Sequence, residues 1–193
     1  MPERLLEYER EWFFAVNGFH AGWLDGLMLA FAGFWAWFPV VLAPLYFIFK
    51  RRREWLPMLT CTLLTGVMSA IVTAAIFKPL FKRFRPTSHP SFMNDVKIVH
   101  DYIASGDYGF ISGHSTNAFA FAVMSALVVK NKWYSAAIFL WAVTMVYSRV
   151  YLGAHFITDV IPGMLTGSLI GWLLYLLYRF MLNRTAKQAR DEK

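Results

Sequence analysis

The sequence has one cysteine, few acidic residues and no cluster of side chains typical of a metal site. Cys61 is the only cysteine among 193 residues, so an internal disulfide is excluded. No group of cysteine or carboxylate side chains shows the spacing of a zinc or calcium site, and no segment repeats. We therefore predict a protein that needs no metal ion and no other cofactor.

Charged residues are missing altogether from five long windows. These windows are Gly26–Phe49, Trp55–Phe77, Tyr108–Val129, Trp133–Ser148 and Val160–Tyr178. About 20 apolar residues cross a bilayer as a helix, and the window at 133–148 reaches that length by extending to Tyr151. Hydrophobic residues make up 58% of the chain, against about 45–50% in soluble domains. The windows predict an all-α fold, a polytopic membrane helix bundle of about five transmembrane helices in one domain over residues 1–193.

The first 20 residues contain charges and an apolar stripe at helical spacing. Apolar residues of this stripe are Leu5, Tyr8, Trp12, Phe13 and Val16, and Glu7, Arg10 and Glu11 face away from it. A helix with one apolar and one charged face lies in the membrane interface. Residues 1–20 are therefore predicted to form an interfacial helix.

Basic residues follow the first, third and fifth windows. These groups are residues 50–53, Lys130 with Lys132, and the polar tail at 183–193. An excess of Lys and Arg marks the cytoplasmic side of a membrane protein, which places the C-terminus in the cytoplasm. The net charge of +7 then reflects membrane topology, and we expect a lipid bilayer and no nucleic acid as partner.

A long connection, residues 79–111, is predicted on the opposite, extracytoplasmic side. Lys78 and Arg85 lie seven positions apart around its start, and an ammonium and a planar guanidinium can bind one anion together. Basic residues at a helix end also extend toward lipid headgroups without further function, so this pair alone leaves both interpretations open.

A second group, Ser112-Gly113-His114, opens the third window. Serine is a good helix N-cap, and the exposed N–H groups of a helix start bind anions. Gly113 allows a ligand to approach the backbone closely, and His114 projects from the first turn. An ordinary cap with an interfacial histidine is the alternative interpretation.

A third group lies between the fourth and fifth windows, where Arg149, His155 and Asp159 occur within eleven residues. On a helix, positions i and i+4 share a face, so Asp159 can hold the His155 imidazole in one tautomer and leave its other nitrogen available for attack. The alternative is a buried charge cluster that only ties helices together.

Taken together, the three groups are more specific than any of them alone. All three fall on the extracytoplasmic side of the predicted topology and supply cations, a helix N-terminus and two histidines. Such a set suits a tetrahedral oxyanion with an acid and a nucleophile on opposite sides.

These stretches resemble the signature of the type 2 phosphatidic acid phosphatase superfamily, which includes vanadium haloperoxidases and glucose-6-phosphatase. The signature is Lys-x6-Arg-Pro, Pro-Ser-Gly-His and Ser-Arg-x5-His-x3-Asp. The chain matches it with Lys78 to Pro86, Ser112 to His114, and Ser148 to Asp159. Ile111 stands where the signature has a proline, which changes loop stiffness but removes no chemical group.

The resemblance implies a metal-independent phosphoric ester or diphosphate hydrolase. It assigns His155 as the nucleophile that forms a phosphohistidine, Asp159 as its orienting carboxylate and His114 as the acid and base. It also implies that five groups hold the phosphoryl oxygens: Lys78, Arg85, Ser112, Gly113 and Arg149.

The resemblance further implies a membrane lipid phosphate as substrate, in the inner (cytoplasmic) membrane of a bacterium, with the site on the periplasmic face. Undecaprenyl pyrophosphate is favoured, and phosphatidylglycerophosphate, phosphatidic acid and lipid A are alternatives. A haloperoxidase-like enzyme and a phosphatase of soluble sugar phosphates are weaker alternatives. A non-catalytic lipid-binding or transport protein is an interpretation of another class. The sequence makes no prediction of oligomeric state.

Overall fold

A computed structural model describes residues 3–51 and 54–191, and all regular elements in this part of the chain are helical. Arg52, Arg53 and Lys193, which belong to the predicted basic clusters, lie outside the described residues. The α-helices are α1 (Glu3–Asn17), α2 (Gly22–Ala32), α3 (Phe38–Lys50), α4 (Trp55–Phe81), α5 (Gly113–Val129), α6 (Lys132–Tyr151) and α7 (Ile157–Asp191). Short 3₁₀ turns occupy Phe34–Trp37, Pro86–Ser88 and Met93–Asp95, and residues 71–77 of α4 are wound as a π-helix.

The first predicted span is not one straight helix. The window at 26–49 is divided between α2 and α3, which meet at Gly33 with a bend of 63°. Two described helices, α4 and the Ile157–Thr185 part of α7, are long and apolar enough to cross a membrane, and α2 with α3 forms a third span if the bent pair is counted as one. The apolar helix α5 is shorter than this, with 17 residues. The structure therefore supports a membrane helix bundle, and the number of five spans stays a prediction.

Close packing of α5 against α7 organises the bundle. Gly163, Gly167 and Gly171 of α7 face the backbone of α5, and a Cβ atom on Gly167 would lie 2.1 Å from the Thr116 carbonyl oxygen. Small residues four positions apart allow helices to approach this closely in lipid. This contact brings the N-terminal ends of both helices together, and those ends carry the second and third signature groups.

Part of the predicted apolar stripe of the N-terminal helix is exposed, and its location in the membrane interface stays a prediction. Tyr8 and Trp12 are each 61% exposed, whereas Glu9, Phe13 and Asn17 are buried. The buried residues are four apart and therefore lie on one face. This face packs on the rest of the protein because the Glu9 carboxylate and the Asn17 amide find hydrogen-bond partners there, which no apolar pattern reveals.

Two helices extend beyond the predicted uncharged windows. Helix α4 continues to Phe81 and ends where Lys82 adopts a left-handed conformation, with φ of 44°, so the connection begins after 81 instead of at 79. The predicted tail at 183–193 continues α7 as far as Asp191, because it contains no glycine or proline to end the helix.

Candidate active site

The three signature groups converge at one end of the bundle. Helix α4 ends there, α5 and α7 begin there, and α6 finishes with Arg149 in its last turn. The Ser112 N–H donates to the Asp159 carbonyl oxygen at 3.1 Å, and Arg85 donates to the Ala154 carbonyl at 2.9 Å. Segments separated by 69 residues along the chain therefore meet at one place.

His155 lies in the tight turn between α6 and α7. Gly153 permits this turn with φ of 73°, and the His155 N–H donates to the Arg149 carbonyl at 3.2 Å. The imidazole is 2% exposed, and its Nε2 is 2.9 Å from Nη1 of Arg85. Because a guanidinium can only donate, Nε2 accepts this bond and the proton of the neutral ring is on Nδ1.

Asp159 stands behind the imidazole, on its Nδ1 side. Oδ2 is 3.6 Å from His155 Nδ1 and accepts a hydrogen bond of 3.0 Å from the Phe156 N–H. A separation of 3.6 Å is longer than a hydrogen bond, and Nδ1 has no other partner among the described residues. The predicted pairing of His155 with Asp159 thus exists as a close contact that a small movement converts to a hydrogen bond.

The electrostatic surroundings keep His155 neutral. Burial lowers its pKa to about 4, with Arg85 and Arg149 acting in the same direction, while Asp159 opposes the shift. An imidazole is a nucleophile only when it is neutral. The lowered pKa therefore leaves the Nε2 lone pair available from mildly acidic pH upward.

Ser112, Gly113 and His114 form the start of α5 as predicted. The Ser112 side chain caps the helix by accepting from the Ser115 N–H at 3.4 Å, and the first N–H groups of a helix have no acceptor within it. His114 lies against the Trp37 ring, with a centroid distance of 5.9 Å. It borders a cavity of about 250 Å³ between α4 and α5.

The predicted cations lie near the two histidines, with Arg85 and Arg149 near both and Lys78 near His114. Lys78, Arg85 and Arg149, together with His155, are close enough to His114 to act on it electrostatically. Arg85 is 5% exposed and makes four hydrogen bonds through its guanidinium, to Ser105, Gly106, Ala154 and His155. Since a guanidinium has five N–H groups, one remains for a ligand.

Arg149 is buried and held in a similar way. Its guanidinium donates twice to the Ser148 hydroxyl, once to the Phe31 carbonyl and once to the Tyr102 hydroxyl at 3.3 Å. One of its five N–H groups also remains. The arrangement fixes both arginines while each keeps one donor, which suits a group with several anionic oxygens.

Four residues at this site were not identified from the sequence. Tyr102 contacts Arg149, and Arg83 donates to the Asp159 Oδ1 atom at 2.7 Å. Glu9 of α1 pairs with Arg83. A Cβ atom on Gly109 would lie 3.0 Å from Asp159 Oδ2. No sequence spacing connects these positions, because Glu9 comes from α1 and the other three are far apart within the connection between α4 and α5.

The fold and these side chains define a membrane-embedded helical protein with a cationic histidine site of the kind that transfers phosphoryl groups. The chain belongs to the PAP2 superfamily, whose sequence pattern matches residues 59–182. It is an enzyme that hydrolyses phosphoric esters, as the predicted resemblance implied.

Two relatives and one solved structure illustrate the similarity. The lipid A 4'-phosphatase of Porphyromonas gingivalis is 38% identical over 94% of this chain and 78% of its own length. The undecaprenyl-diphosphatase of Sulfolobus acidocaldarius is 31% identical over 89% of this chain and 79% of its own length. The crystal structure of a transmembrane PAP2 type phosphatidylglycerolphosphate phosphatase from Bacillus subtilis has a TM-score of 0.69 at 24% identity, covering 89% of this chain and 84% of that one. The last comparison shows a shared fold.

Proposed function

We propose that this protein removes phosphate from the headgroup of a membrane lipid through a phosphohistidine at His155. The observation that carries the proposal is the orientation of the imidazole. Nδ1 faces Asp159 at 3.6 Å, and Nε2 faces Arg85 at 2.9 Å. The nucleophilic lone pair is thus directed at the cations that would hold the phosphoryl oxygens.

In the first step, Nε2 of His155 attacks phosphorus and the bond from phosphorus to the leaving oxygen breaks. His114 gives its proton to that oxygen. The N–H of Arg85 that faces Nε2 in the free protein then donates a hydrogen bond to the phosphoryl group. This group is also held by Lys78, Arg149, and the N-terminus of α5 at Ser112 and Gly113. Asp159 balances the charge that develops on the imidazolium.

In the second step, water attacks the phosphorus of the phosphohistidine. His114, now neutral, takes a proton from this water, the P–N bond breaks, and inorganic phosphate leaves. The chain's own residues supply every proton transfer in this scheme, and we propose that the reaction requires no metal ion.

For the substrate, we place a lipid A phosphate first and undecaprenyl pyrophosphate second. The sequence-based preference was the reverse and depended on family analogy alone. The stronger similarity to a lipid A 4'-phosphatase, 38% against 31% identity, supports the new order. Both substrates carry a phosphate at the membrane surface and apolar chains in the bilayer.

We also propose the predicted orientation, with five spans, the site on the periplasmic face of a bacterial inner membrane and the C-terminus in the cytoplasm. Arg51, Lys130 and Arg179 lie around one cavity at the end of the bundle away from the site. Clustered basic residues at one end support a cytoplasmic location for that end.

A substrate panel tests this proposal. Purified protein in detergent is expected to release phosphate from lipid A faster than from undecaprenyl pyrophosphate, phosphatidylglycerophosphate or glucose-6-phosphate. Vanadate is expected to inhibit as a mimic of pentavalent phosphorus, and EDTA is expected to leave the rate unchanged. Absence of phosphate release from every member of the panel would favour the lipid-binding or transport alternative, and inactivation by EDTA would overturn the metal-free scheme.

Removal of the Tyr102 hydroxyl is expected to weaken the phosphate pocket. Tyr102→Phe leaves Arg149 with one partner fewer, and a hydrogen bond to a charged group contributes roughly 1.5–3 kcal/mol. We expect kcat/KM to fall roughly 10- to 100-fold on the preferred lipid. Tyr108→Phe, in the same connection but with its ring against Phe84, is the matched control, and an equal loss in both variants would show that the Tyr102 contact has no specific role.

A further inference from the structure

Glu9 is a charged residue that the structure buries far along the chain from every signature group. Its side chain is 5% exposed, while Glu7 and Glu11 of the same helix are exposed. Burial raises the pKa of Glu9, and the contact with Arg83 opposes this shift. A buried carboxylate is costly unless it is paired, so the partner of Glu9 explains why α1 lies where it does.

Arg83 connects Glu9 directly to the histidine–aspartate pair. Nη1 donates to Asp159 Oδ1 and to the Thr158 hydroxyl, both at 2.7 Å, and Nη2 is paired with Glu9. The Thr158 hydroxyl also donates to Glu9. The guanidinium is therefore fixed from two sides, by a carboxylate of α1 and by two residues at the start of α7.

In this network, the two oxygen atoms of the Asp159 carboxylate have different partners. Oδ1 is held by Arg83, so Oδ2 must point at His155 Nδ1 and the Phe156 N–H. If Oδ1 lost its partner, the carboxylate could rotate about its Cβ–Cγ bond and Oδ2 would leave the imidazole.

The network also sets the charge next to His155. One guanidinium lies between two carboxylates, and the Glu9 charge is close enough to Asp159 to act on it. Without Glu9, the whole attraction of Arg83 would fall on Asp159, and the carboxylate would support an imidazolium less well. Arg85 and Arg149 face the same imidazole from the connection and from α6, and Asp159 is the negative charge that opposes them.

We propose that Glu9 and Arg83 are positioning residues for the reaction, and that the N-terminal helix is thereby a working part of the active site. The inference rests on the proposed role of His155 as nucleophile. Neither residue is assigned a contact with substrate, so both act on kcat and on the titration of His155 and leave KM unchanged.

Variants that neutralise Glu9 or Arg83 are expected to shift the pH dependence of kcat/KM in opposite directions. Glu9→Gln removes a negative charge, which disfavours the imidazolium, and the acid limb of the kcat/KM profile is expected to move to lower pH. Arg83→Gln removes a positive charge, and the limb is expected to move to higher pH. Because Arg83→Gln also frees Oδ1 of Asp159, we expect its kcat to fall about a hundredfold, a loss that a misplacement of about 1 Å can cause. The kcat of Glu9→Gln is expected to fall severalfold.

A second readout needs no turnover. The pKa of His155 can be followed by NMR of protein labelled with ¹⁵N-histidine, with His155→Gln used to assign the signal. If wild type releases no phosphate from any lipid, the proposed function fails, while the NMR titration still tests the charge network. The double variant Glu9→Gln with Arg83→Gln restores the charge balance, and its His155 pKa is expected between those of the single variants.

The control is Glu11→Gln, which makes the same chemical change at an exposed position of α1. It is expected to keep the wild-type kcat and pH limb. If Arg83→Gln does not fold, Arg83→Lys replaces it, because one ammonium group keeps the charge but cannot contact Glu9, Thr158 and Asp159 together. That variant should lose kcat with little change in the limb. A His155 pKa that is unchanged in Glu9→Gln and Arg83→Gln, or that moves in the same direction in both, would overturn the proposal.

Discussion

Replacement of His155 by alanine is expected to lower kcat by roughly 10⁴- to 10⁶-fold, the range known for loss of an enzyme's nucleophile. The imidazole Nε2 faces the Arg85 guanidinium at 2.9 Å, and Arg149 acts on the same ring, so the lone pair that would attack phosphorus is lost with the side chain. The rate of phosphate release from the preferred lipid measures the effect directly. A matched control is His100→Asn, which changes an exposed histidine of the connection and is expected to retain activity.

A trapping experiment separates the nucleophile from a general base. In His114→Asn, loss of the group that activates water should slow the second step, so ³²P from labelled substrate is expected to accumulate on His155 as an acid-labile adduct. If His155→Ala retains wild-type turnover, the mechanism is refuted. If label never appears on the protein while turnover still depends on His155, the residue activates water directly and no phosphohistidine forms.

Substitution of Gly167 is expected to have the largest effect on stability. A Cβ atom there would lie 2.1 Å from the Thr116 carbonyl oxygen and 2.9 Å from its carbon, and neither backbone atom can move without shifting α5. Overpacking of a closely packed core costs typically about 1–3 kcal/mol and occasionally more. We expect Gly167→Ala to lower the free energy of unfolding by about 3 kcal/mol or more, the upper end of that range. Gly167→Leu is expected to prevent assembly of the helix bundle. Thermal unfolding of the detergent-solubilised protein measures both.

The control for this prediction is another helical glycine. A Cβ atom on Gly26 of α2 would meet nothing within 4 Å, and replacement of a helical glycine by alanine stabilises by up to about 1 kcal/mol. Gly26→Ala is therefore expected to be neutral or slightly stabilising. Similar melting temperatures for Gly26→Ala and Gly167→Ala would show that the close approach of α5 and α7 is not essential.

The close packing of α5 against α7 also links the stability of the fold to the geometry of the proposed active site. The helix starts that carry Ser112 and Asp159 are joined by a backbone hydrogen bond of 3.1 Å, one turn beyond the first glycine of the stripe, Gly163. Any residue that separates α5 from α7 would also separate the phosphate-binding helix N-terminus from the nucleophile. A partly folded Gly167 variant is therefore expected to be inactive.

Much of the architecture could be predicted because hydrophobic length is a local property. Uncharged windows located α4 to α7, and the glycines of α7 are four residues apart, as helix packing in lipid requires. The bend between α2 and α3 could not be predicted, because the window at 26–49 is apolar throughout. The chain bends at Gly33 because the two helices contact different neighbours. The burial of Glu9 and Asn17 in α1 could not be predicted either, because an apolar pattern does not show where a polar side chain finds a hydrogen-bond partner.

The sequence by itself determined the chemistry of this protein. Histidines, cations and a helix start occur at spacings that suit one tetrahedral anion, and their segments are separated by apolar helices of membrane length. Only the tertiary structure decided which groups lie around His155 and Asp159. Arg83 contacts Asp159 and is itself paired with Glu9, Tyr102 contacts Arg149, and Gly109 lies against Asp159. Hydrogen bonds and close contacts between distant segments depend on how helices pack, and the one-dimensional pattern of polar and apolar residues does not contain that information.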